Sequence, residues 1–229
     1  MTSDSSARLA LLHGFSLSLR GEQIRVPQPA RRLLALLGLR GAPVSRGVAA
    51  AVLWPDLDDR AAAARLRSTL WRMPTRDPGL VDADDGRIRL AVDVEVDLRA
   101  LEDEHRLGEL TVAVLVGDVL TGWDDDWVRD ERERYRQLRL HGLERVAADA
   151  RRDGRFGQAL EAALAAVRCE PLRESAHREV MHVHLAEDNP SEALRQYERV
   201  RVVLRDHLGL APSPATRALV APLLGRPAD

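Results

Sequence analysis

The stretch Asp59-Arg-Ala-Ala-Ala-Ala-Arg-Leu-Arg-Ser-Thr-Leu-Trp-Arg-Met73 combines an apolar stripe with a row of arginines. At 100° per residue, a helix over these residues carries on one side the apolar residues Ala62, Leu66, Leu70 and Met73, and this side is predicted to face a core. A neighbouring stripe carries the polar residues Arg65, Ser68, Thr69 and Arg72, with Arg67 and Trp71 beyond it. Pro74 is expected to end the helix, because proline lacks the backbone N–H.

The segments on either side of this helix predict a small α+β domain. Short, partly alternating runs that are typical of an antiparallel sheet occur at Leu9–His13, Ser16–Arg20 and Ile24–Val26. Two further helices are predicted at about Pro29–Leu39 and Ser45–Leu53, with Ser45 as the N-cap of the second. Val81–Leu90 is predicted to form a β-hairpin that turns at Asp85-Gly86. Strands, three helices and a hairpin in this order are typical of a winged helix-turn-helix.

From residue 98 onward, amphipathic helices are predicted at about 98–106, 109–120, 125–152, 156–169, 173–187, 191–207 and 214–224. The sequence Gly154-Arg-Phe-Gly-Gln-Ala159-Leu160 recurs as Asn189-Pro-Ser-Glu-Ala193-Leu194, with the Ala-Leu pairs 34 residues apart. That spacing is the tetratricopeptide period. We therefore predict a mainly α chain, with an α+β winged helix over residues 1–97 and an all-α, tetratricopeptide-like domain over residues 98–229.

The composition bears on several classes of protein. The 229 residues include 34 Arg, no Lys, and 36 Asp and Glu, so the net charge of −2 excludes a uniformly basic protein. The apolar runs fall short of the ~18 residues that span a bilayer, and no secretory signal is recognisable, so a cytoplasmic location without membrane association is expected. One cysteine allows no internal disulfide, and 3 % aromatic residues argue against a base-stacking platform for single strands.

The charge is distributed unevenly along the chain. Residues 1–76 hold 12 Arg against 5 Asp and Glu, residues 77–97 hold 2 against 7, and the remainder holds 20 against 24. The segment Arg60–Arg76 alone has five Arg and no acid. This concentration on the third helix of a winged helix-turn-helix pattern indicates that the first third of the chain meets nucleic acid.

The predicted DNA contacts follow from this placement. A helix fits the major groove of DNA, where Arg can pair with guanine and hydroxyl groups can reach base edges or phosphates. The candidate contacts of the third helix are Arg65, Arg67, Ser68, Thr69 and Arg72. Phosphate contacts are expected from Arg31, Arg32, Arg60 and Arg76, and contacts of the wing from Arg87 and Arg89. The alternative is that these are solvated arginines of a chain that uses Arg where other proteins use Lys.

Three further groups of residues bear on catalysis and on metal binding. His177 and His184 share a helix face but lie two turns apart, so a role in helix packing is favoured over metal ligation. Asp124-Asp-Asp126 lacks the spaced ligands of a calcium loop, and its charge suits a helix N-terminus. Cys169 is expected to be buried in the repeat, and no Gly-x-Ser-x-Gly motif occurs. We expect neither an enzyme nor a cofactor.

Several motifs carry a family resemblance. In the first domain they are Arg32-Leu-Leu-Ala-Leu-Leu37, Leu53-Trp-Pro-Asp56, Leu66-Arg67-x-x-Leu70 and Val96-Asp97-Leu98. In the second they are Gly117-Asp-Val-Leu120, Gly122-Trp-Asp-Asp-Asp-Trp127-Val, Glu131-Arg-Glu-Arg134, Glu170-Pro-Leu-Arg-Glu174, Ala193-Leu-Arg-Gln-Tyr197, Leu208-Gly209 and Pro212-Ser213. Over about residues 8–221 the chain resembles the Streptomyces antibiotic regulatory protein (SARP) family with its bacterial transcriptional activator domain (BTAD).

The resemblance implies a winged helix of the response-regulator output type that binds direct repeats near promoters. It also implies a helical domain that helps assembly and a surface that recruits RNA polymerase, typically through the sigma factor. A phosphate-binding Gly-x-x-x-x-Gly-Lys loop cannot exist without lysine, so the chain resembles the small, stand-alone members. Two departures matter: Met73-Pro74 stands where the family usually has Leu-Arg, and Gly86-Arg-Ile-Arg-Leu90 stands where the wing usually reads Gly-Tyr-x-Leu.

The leading hypothesis is a sequence-specific transcriptional activator of secondary-metabolite genes, such as those of antibiotic biosynthesis. Its expected partners are double-stranded DNA and RNA polymerase, and formation of a homodimer is left open. The alternative is a tetratricopeptide-type regulator that binds a protein or an effector and whose winged helix has weak or no DNA affinity. That alternative is motivated by Pro74 and by the acidic residues of the wing, Asp82, Asp84 and Asp85.

Overall fold

The computed structural model describes residues 7–73, 79–84, 86–102 and 111–225. The chain divides into two compact units, Met1–Arg99 with Asp118–Glu133, and Ala100–Gly117 with Arg134–Asp229. The predicted fold class is confirmed, since a small α+β part is followed by helices. The predicted boundary after residue 97 stays a prediction. Beyond it, the structure groups Asp118–Glu133 with the first unit.

The strands of the first unit form two small sheets. They are β1 (Ala7–Ala10), β2 (Ser16–Leu19), β3 (Glu22–Gln23), β4 (Val44–Ser45), β5 (Val81–Asp84), β6 (Arg87–Leu90) and β7 (Val94–Val96). One sheet has the order β3-β2-β1-β7, with β1 antiparallel to β2 and parallel to β7. The other has the order β4-β6-β5, in which β5 and β6 form the predicted hairpin. The antiparallel pairing of β1 and β2 agrees with the prediction, whereas the third strand lies at 22–23 and not at 24–26.

Three helices follow β3 and precede β5 in the chain: α1 (Gln28–Arg40), α2 (Arg46–Leu53) and α3 (Asp59–Trp71). Ser45 caps α2 as predicted, because its hydroxyl accepts a hydrogen bond from the Val48 N–H at 3.2 Å. Asp58 caps α3 in the same way, through the Ala61 N–H at 2.8 Å. The α3 helix is two residues shorter than the predicted 59–73, since it ends at Trp71.

The core of the first unit lies where α1 crosses the larger sheet. All residues of α1 from 33 to 39 are buried. Gly38 permits the close approach, because a Cβ atom there would lie 2.9 Å from side-chain carbons of both Leu9 and Leu11. Since protein interiors are packed without spare volume, a larger residue at position 38 would have to displace both leucines.

The segment Asp118–Glu133 packs against the first unit through backbone contacts. Val119 forms an isolated antiparallel bridge with Leu12, and the Leu120 N–H donates to the Leu11 carbonyl at 2.8 Å. The guanidinium of Arg132 donates to the carbonyls of Val119 and Trp123, each at 2.8 Å. The predicted helix over 109–120 is therefore wrong at its end, because residues 119 and 120 bond to the region after β1.

The side chain of Asp97 bonds to the residues that follow β1. Its carboxylate accepts hydrogen bonds from the backbone N–H groups of Leu11 and Leu12, each at 3.0 Å. Burial raises the pKa of Asp97 above its usual range, although these two bonds act in the opposite direction. The carboxyl group therefore ties the chain after β7 to the residues that follow β1.

Among the described residues after 98, the helices are α4 (Arg99–Glu102), α5 (Val112–Val116), α6 (Asp126–Arg152), α7 (Phe156–Cys169), α8 (Glu174–Ala186), α9 (Pro190–Leu208) and α10 (Pro214–Val220), followed by a 3₁₀ turn at Ala221–Leu224. In the second unit, α7 packs on α8 and α8 packs on α9. The repeat positions Ala159 and Ala193 are fully buried, as is Ala166. Small side chains at these positions let the helices approach closely, in agreement with the predicted repeat.

Candidate nucleic-acid interface

The inner side of α3 faces the core of the first unit. Its buried residues are Ala62, Leu66 and Thr69, and Met73 beyond the helix is also buried. The sequence predicted that Leu70 would be buried with them, but Leu70 is only half-buried and Thr69 is buried instead. The Thr69 hydroxyl donates to the Arg65 carbonyl at 2.9 Å. The DNA contact at Thr69 stays a prediction, although its side chain is 7 % exposed and bonded within the helix.

Four residues on the outer side of α3 are exposed: Arg60, Ala64, Arg67 and Trp71. They are four, three and four residues apart, so they lie on one face of the helix. We call these four residues the outer line. The Trp71 side chain is 84 % exposed. Ala64 and Trp71 were not among the predicted contacts, although their spacing from Arg60 and Arg67 was readable in the sequence.

The remaining predicted contacts of α3 lie on a flank between the outer line and the core. Arg65 and Arg72 are exposed, and Ser68 is half-buried. These three residues line a cleft of about 180 Å³ whose other walls are Pro27, Pro29, Ala30, Trp54 and Thr69. The structure thus brings Arg65, Ser68 and Arg72 together beside the start of α1.

The arginines of α3 carry uncompensated charge. Within the described part of the chain, no ion pair or hydrogen bond involves the exposed guanidinium groups of Arg60, Arg65, Arg67 and Arg72. The nearby Asp58 is engaged as the helix cap. The guanidinium groups of α3 can therefore bind an anion without first breaking a salt bridge. Arg76 and Pro74 lie outside the described residues.

Arg31 and Arg32 of α1, which are predicted phosphate contacts, make contacts within the first unit. The Arg31 guanidinium lies 5.2 Å from the ring centre of Phe15 and 5.8 Å from that of Trp123. Arg32 forms an ion pair with Asp125. Both arginines are half-buried and hold the segment after residue 118. The phosphate contact of Arg32 stays a prediction, and the Asp125 carboxylate would compete with a phosphate for its guanidinium.

The wing is the β5–β6 hairpin. Arg87 and Arg89 are both exposed on β6. Arg89 lies 3.4 Å from the Asp82 carboxylate, its cross-strand neighbour, in an ion pair. No ion pair of Arg87 occurs among the described residues, although its register partner is Asp84. Of the two predicted contacts of the wing, Arg87 is thus the one whose charge is available.

The histidines of α8 have structural partners. The ring nitrogens of His177 lie 2.9 Å from the Pro171 carbonyl oxygen and 2.7 Å from the Gln196 side-chain nitrogen. Burial lowers the pKa of His177, so the ring is neutral near pH 7. Within the described ranges, no group of three or more His, Cys, Asp or Glu side chains is placed to hold a metal ion. None of the helices in those ranges is both long and apolar enough to cross a membrane.

An α+β unit with a cationic third helix, joined to a unit of paired helices, defines a class of transcription regulators. The family described as bacterial transcriptional activator domain matches residues 89–224. The chain therefore belongs to that family and is a regulator of the SARP type.

Comparisons with individual proteins agree with the fold. The solved structure of Mycobacterium tuberculosis EmbR in complex with a low affinity phosphopeptide is similar, with a TM-score of 0.79 and 23 % sequence identity. The match covers 98 % of this chain and 66 % of that chain, so this chain spans just under two thirds of the EmbR length. No curated protein sequence matches the chain. The structural likeness shows a shared fold.

Proposed function

We propose that the chain is a sequence-specific DNA-binding activator and that α3 enters the major groove. The observation that carries the proposal is the set of exposed, unpaired guanidinium groups on this helix, Arg60, Arg65, Arg67 and Arg72. A guanidinium group pairs bidentately with guanine O6 and N7 or binds phosphate, and a protein salt bridge would compete with both. The absence of such competition in the described part of α3 supports a helix that meets DNA.

The proposed roles follow from position. Arg65, Arg67 and Arg72, with Ser68, contact base edges. Arg60 lies at the start of α3, and Arg87 lies on the wing, where each contacts a phosphate. Arg31, Arg32 and Thr69 are left out of the interface because each is engaged within the first unit. Arg89 contributes only when its pair with Asp82 opens.

Membership of a transcriptional activator family supports the remaining parts of the proposal. We propose that the protein acts in the cytoplasm, binds direct repeats near promoters and recruits RNA polymerase through the sigma factor. The proposed targets are secondary-metabolite genes. The second unit helps two copies to assemble on adjacent repeats.

Binding of the full chain to its own upstream DNA tests the central claim. We expect Arg65→Ala and Arg72→Ala each to weaken binding by about 1–3 kcal/mol if they contact bases. Arg201→Ala is the matched control, since Arg201 is an exposed arginine of α9. Unchanged binding by the double variant of Arg65 and Arg72 would overturn the assignment of α3.

Recruitment is tested separately by transcription in vitro with purified RNA polymerase holoenzyme. We expect the protein to raise transcript yield from a promoter whose repeats it protects in a footprint. The same holoenzyme on a promoter with scrambled repeats is the control. Protection of the repeats without any rise in transcript yield would contradict activation while leaving DNA binding intact.

The second candidate is a regulator that binds a protein or an effector and has little DNA affinity. It is favoured by the intramolecular neutralisation of Arg32 and Arg89, which reduces the positive charge around α3. Salt dependence separates the two candidates. Neutralisation of several phosphates gives a steep negative slope of log affinity on log salt, whereas no measurable binding at low salt would favour the second candidate.

A further inference from the structure

The indole of Trp71 is exposed in a way that the other tryptophans are not. Trp71 is 84 % exposed, whereas Trp54 is half-buried and the rings of Trp123 and Trp127 lie 6.4 Å apart, edge to face. Among the residues that the structure describes, no ring contact or hydrogen bond involves the indole side chain of Trp71. A single exposed apolar side chain is common on protein surfaces, so the neighbours of Trp71 decide whether its ring belongs to a binding face.

The neighbours of Trp71 define the chemistry of that partner. Trp71 shares the outer line with Arg60, Ala64 and Arg67, so cationic and apolar positions alternate along one helix face. A matching surface carries negative charge and small apolar groups in alternation. The major groove has this character, because phosphates line it and the thymine C5-methyl is the apolar group that projects into it.

The spacing along α3 agrees with base-pair geometry. Ala64 and Trp71 are seven residues apart, which corresponds to about 10.5 Å along a helix axis. This length exceeds the rise of about 3.4 Å between neighbouring base pairs. Two apolar contacts from one helix can therefore meet thymine methyl groups of different base pairs, with Arg67 between them.

We infer that Trp71 is a specificity residue that recognises thymine, through packing of its indole on a C5-methyl group in the major groove. This inference rests on the proposed function, since it requires that α3 enters the groove. It adds that each half-site of the operator contains a required thymine at the position that faces the C-terminal end of α3. At this position Trp71 recognises the methyl group of the thymine and not its hydrogen-bonding edge.

Replacement of thymine by deoxyuridine tests the inference, because it removes the methyl group and leaves the hydrogen-bonding pattern unchanged. The preferred site is first selected from random duplex DNA with the full chain. Each thymine of that site is then replaced singly by deoxyuridine. At one position per half-site, we expect wild-type affinity to fall about fourfold, the effect of losing one buried methyl.

The variant Trp71→Ala tests whether the methyl effect depends on the indole. We expect it to bind the thymine site more weakly than the wild type does and to bind the thymine and deoxyuridine sites equally. Because Trp71 is exposed, the variant is expected to fold, and an unchanged unfolding temperature checks this. Trp71→Phe, which keeps an apolar ring, is expected to retain the preference for thymine.

The outcomes separate the inference from the proposed function. A methyl effect that disappears in Trp71→Ala supports the inference. DNA binding that is insensitive to deoxyuridine, or a methyl effect that persists in Trp71→Ala, overturns it and leaves DNA binding by α3 in place. Wild-type affinity in Trp71→Ala also overturns it, because the indole then contributes nothing to DNA binding. No DNA binding at low salt overturns both.

Discussion

Arg32 and Asp125 form an ion pair across 93 residues of sequence, and both side chains are about four-fifths buried. The pair joins α1 to the residues just before α6 within the first unit. Beside it, the Arg31 guanidinium lies over the rings of Phe15 and Trp123. Adjacent arginines of α1 thus hold the segment 118–133, whereas Arg60, Arg65 and Arg67 of α3 form no ion pair among the described residues.

We expect Arg32→Ala to lower the free energy of unfolding by about 1–2 kcal/mol, because it leaves the mostly buried Asp125 carboxylate without its cation. Asp125→Asn is expected to act in the same direction. Arg60→Ala is the matched control, since Arg60 is exposed and lies outside every ion pair of the described residues. Denaturant unfolding of the full chain measures the effect, and equal stability of the Arg32 and Arg60 variants would contradict this role.

The sequence predicted those parts of the fold that depend on neighbouring residues. Ser45 was identified as the cap of α2, and the hairpin was placed around Gly86, because capping and turn formation use groups only a few residues apart. The repeat was found from the 34-residue recurrence of Ala159 and Ala193. The cap and the turn each lie within one or two elements, and the repeat is visible because the same short motif occurs twice.

The contacts that were missed are distant in sequence. Hydrophobic periodicity does not reveal that β7 pairs with β1 or that Asp125 neutralises Arg32. The choice between Thr69 and Leu70 as a core residue depends on how α3 is rotated against α1 and α2, which is a tertiary property. For the candidate site, the sequence therefore located the helix and its arginines. Only the packed structure shows which arginines of the unit form ion pairs within the chain and which do not.

Neutralising the acid of the wing is expected to strengthen DNA binding. Asp82→Asn removes the carboxylate that pairs with Arg89 at 3.4 Å and lowers the negative charge of the hairpin. We expect affinity for the upstream DNA to rise about two- to fivefold at low salt, with a steeper salt dependence, because one more guanidinium can reach a phosphate. Fluorescence anisotropy at several salt concentrations measures both quantities.

Glu187→Gln is the control for this change, because it removes one acid from the second unit. A similar gain in affinity in both variants would attribute the effect to net charge alone. No gain in Asp82→Asn would show that the wing does not approach DNA.

The second unit is expected to lose stability in acid through Glu174. Its carboxylate accepts hydrogen bonds from Thr216 Oγ1 at 2.6 Å and from the Ser213 N–H and hydroxyl, each at 2.8 Å, and so joins α8 to α10. Burial alone would raise the pKa of Glu174, but these bonds outweigh it and lower the pKa below 4.5. The stabilisation is therefore fully present above pH 4.5 and is lost as the pH falls through the lowered pKa.

Glu174→Gln tests this dependence. The variant is expected to be less stable than the wild type at pH 7 by about 1–3 kcal/mol, the range for hydrogen bonds to a charged group. The difference should shrink between pH 5 and pH 3, since only the wild type loses the charged acceptor. Thermal unfolding across this pH range measures it, and a difference independent of pH would contradict the assignment.

His177 is expected to stay neutral and to stabilise the α8–α9 contact. The neutral ring fits the geometry, with Nε2–H donating to the Pro171 carbonyl at 2.9 Å and Nδ1 accepting from the Gln196 amide at 2.7 Å. Arg199 donates to the Gln196 Oε1 at 3.5 Å, which orients the amide with its nitrogen toward the ring. A proton on Nδ1 would face another donor, and burial lowers the pKa of His177 in the same direction.

His177→Ala is therefore expected to lower the free energy of unfolding by about 2–4 kcal/mol, through the lost packing and the unpaired Gln196 amide. In the wild type, this contribution is fully present above pH 6.5 and declines as the pH falls through the lowered pKa, because the unfolded chain takes up the proton first. The exposed His207 provides the control variant, His207→Ala. NMR titration of the ring resonances checks this: a midpoint below 6.5 would support a neutral His177 at pH 7, and a midpoint above 6.5 would contradict it.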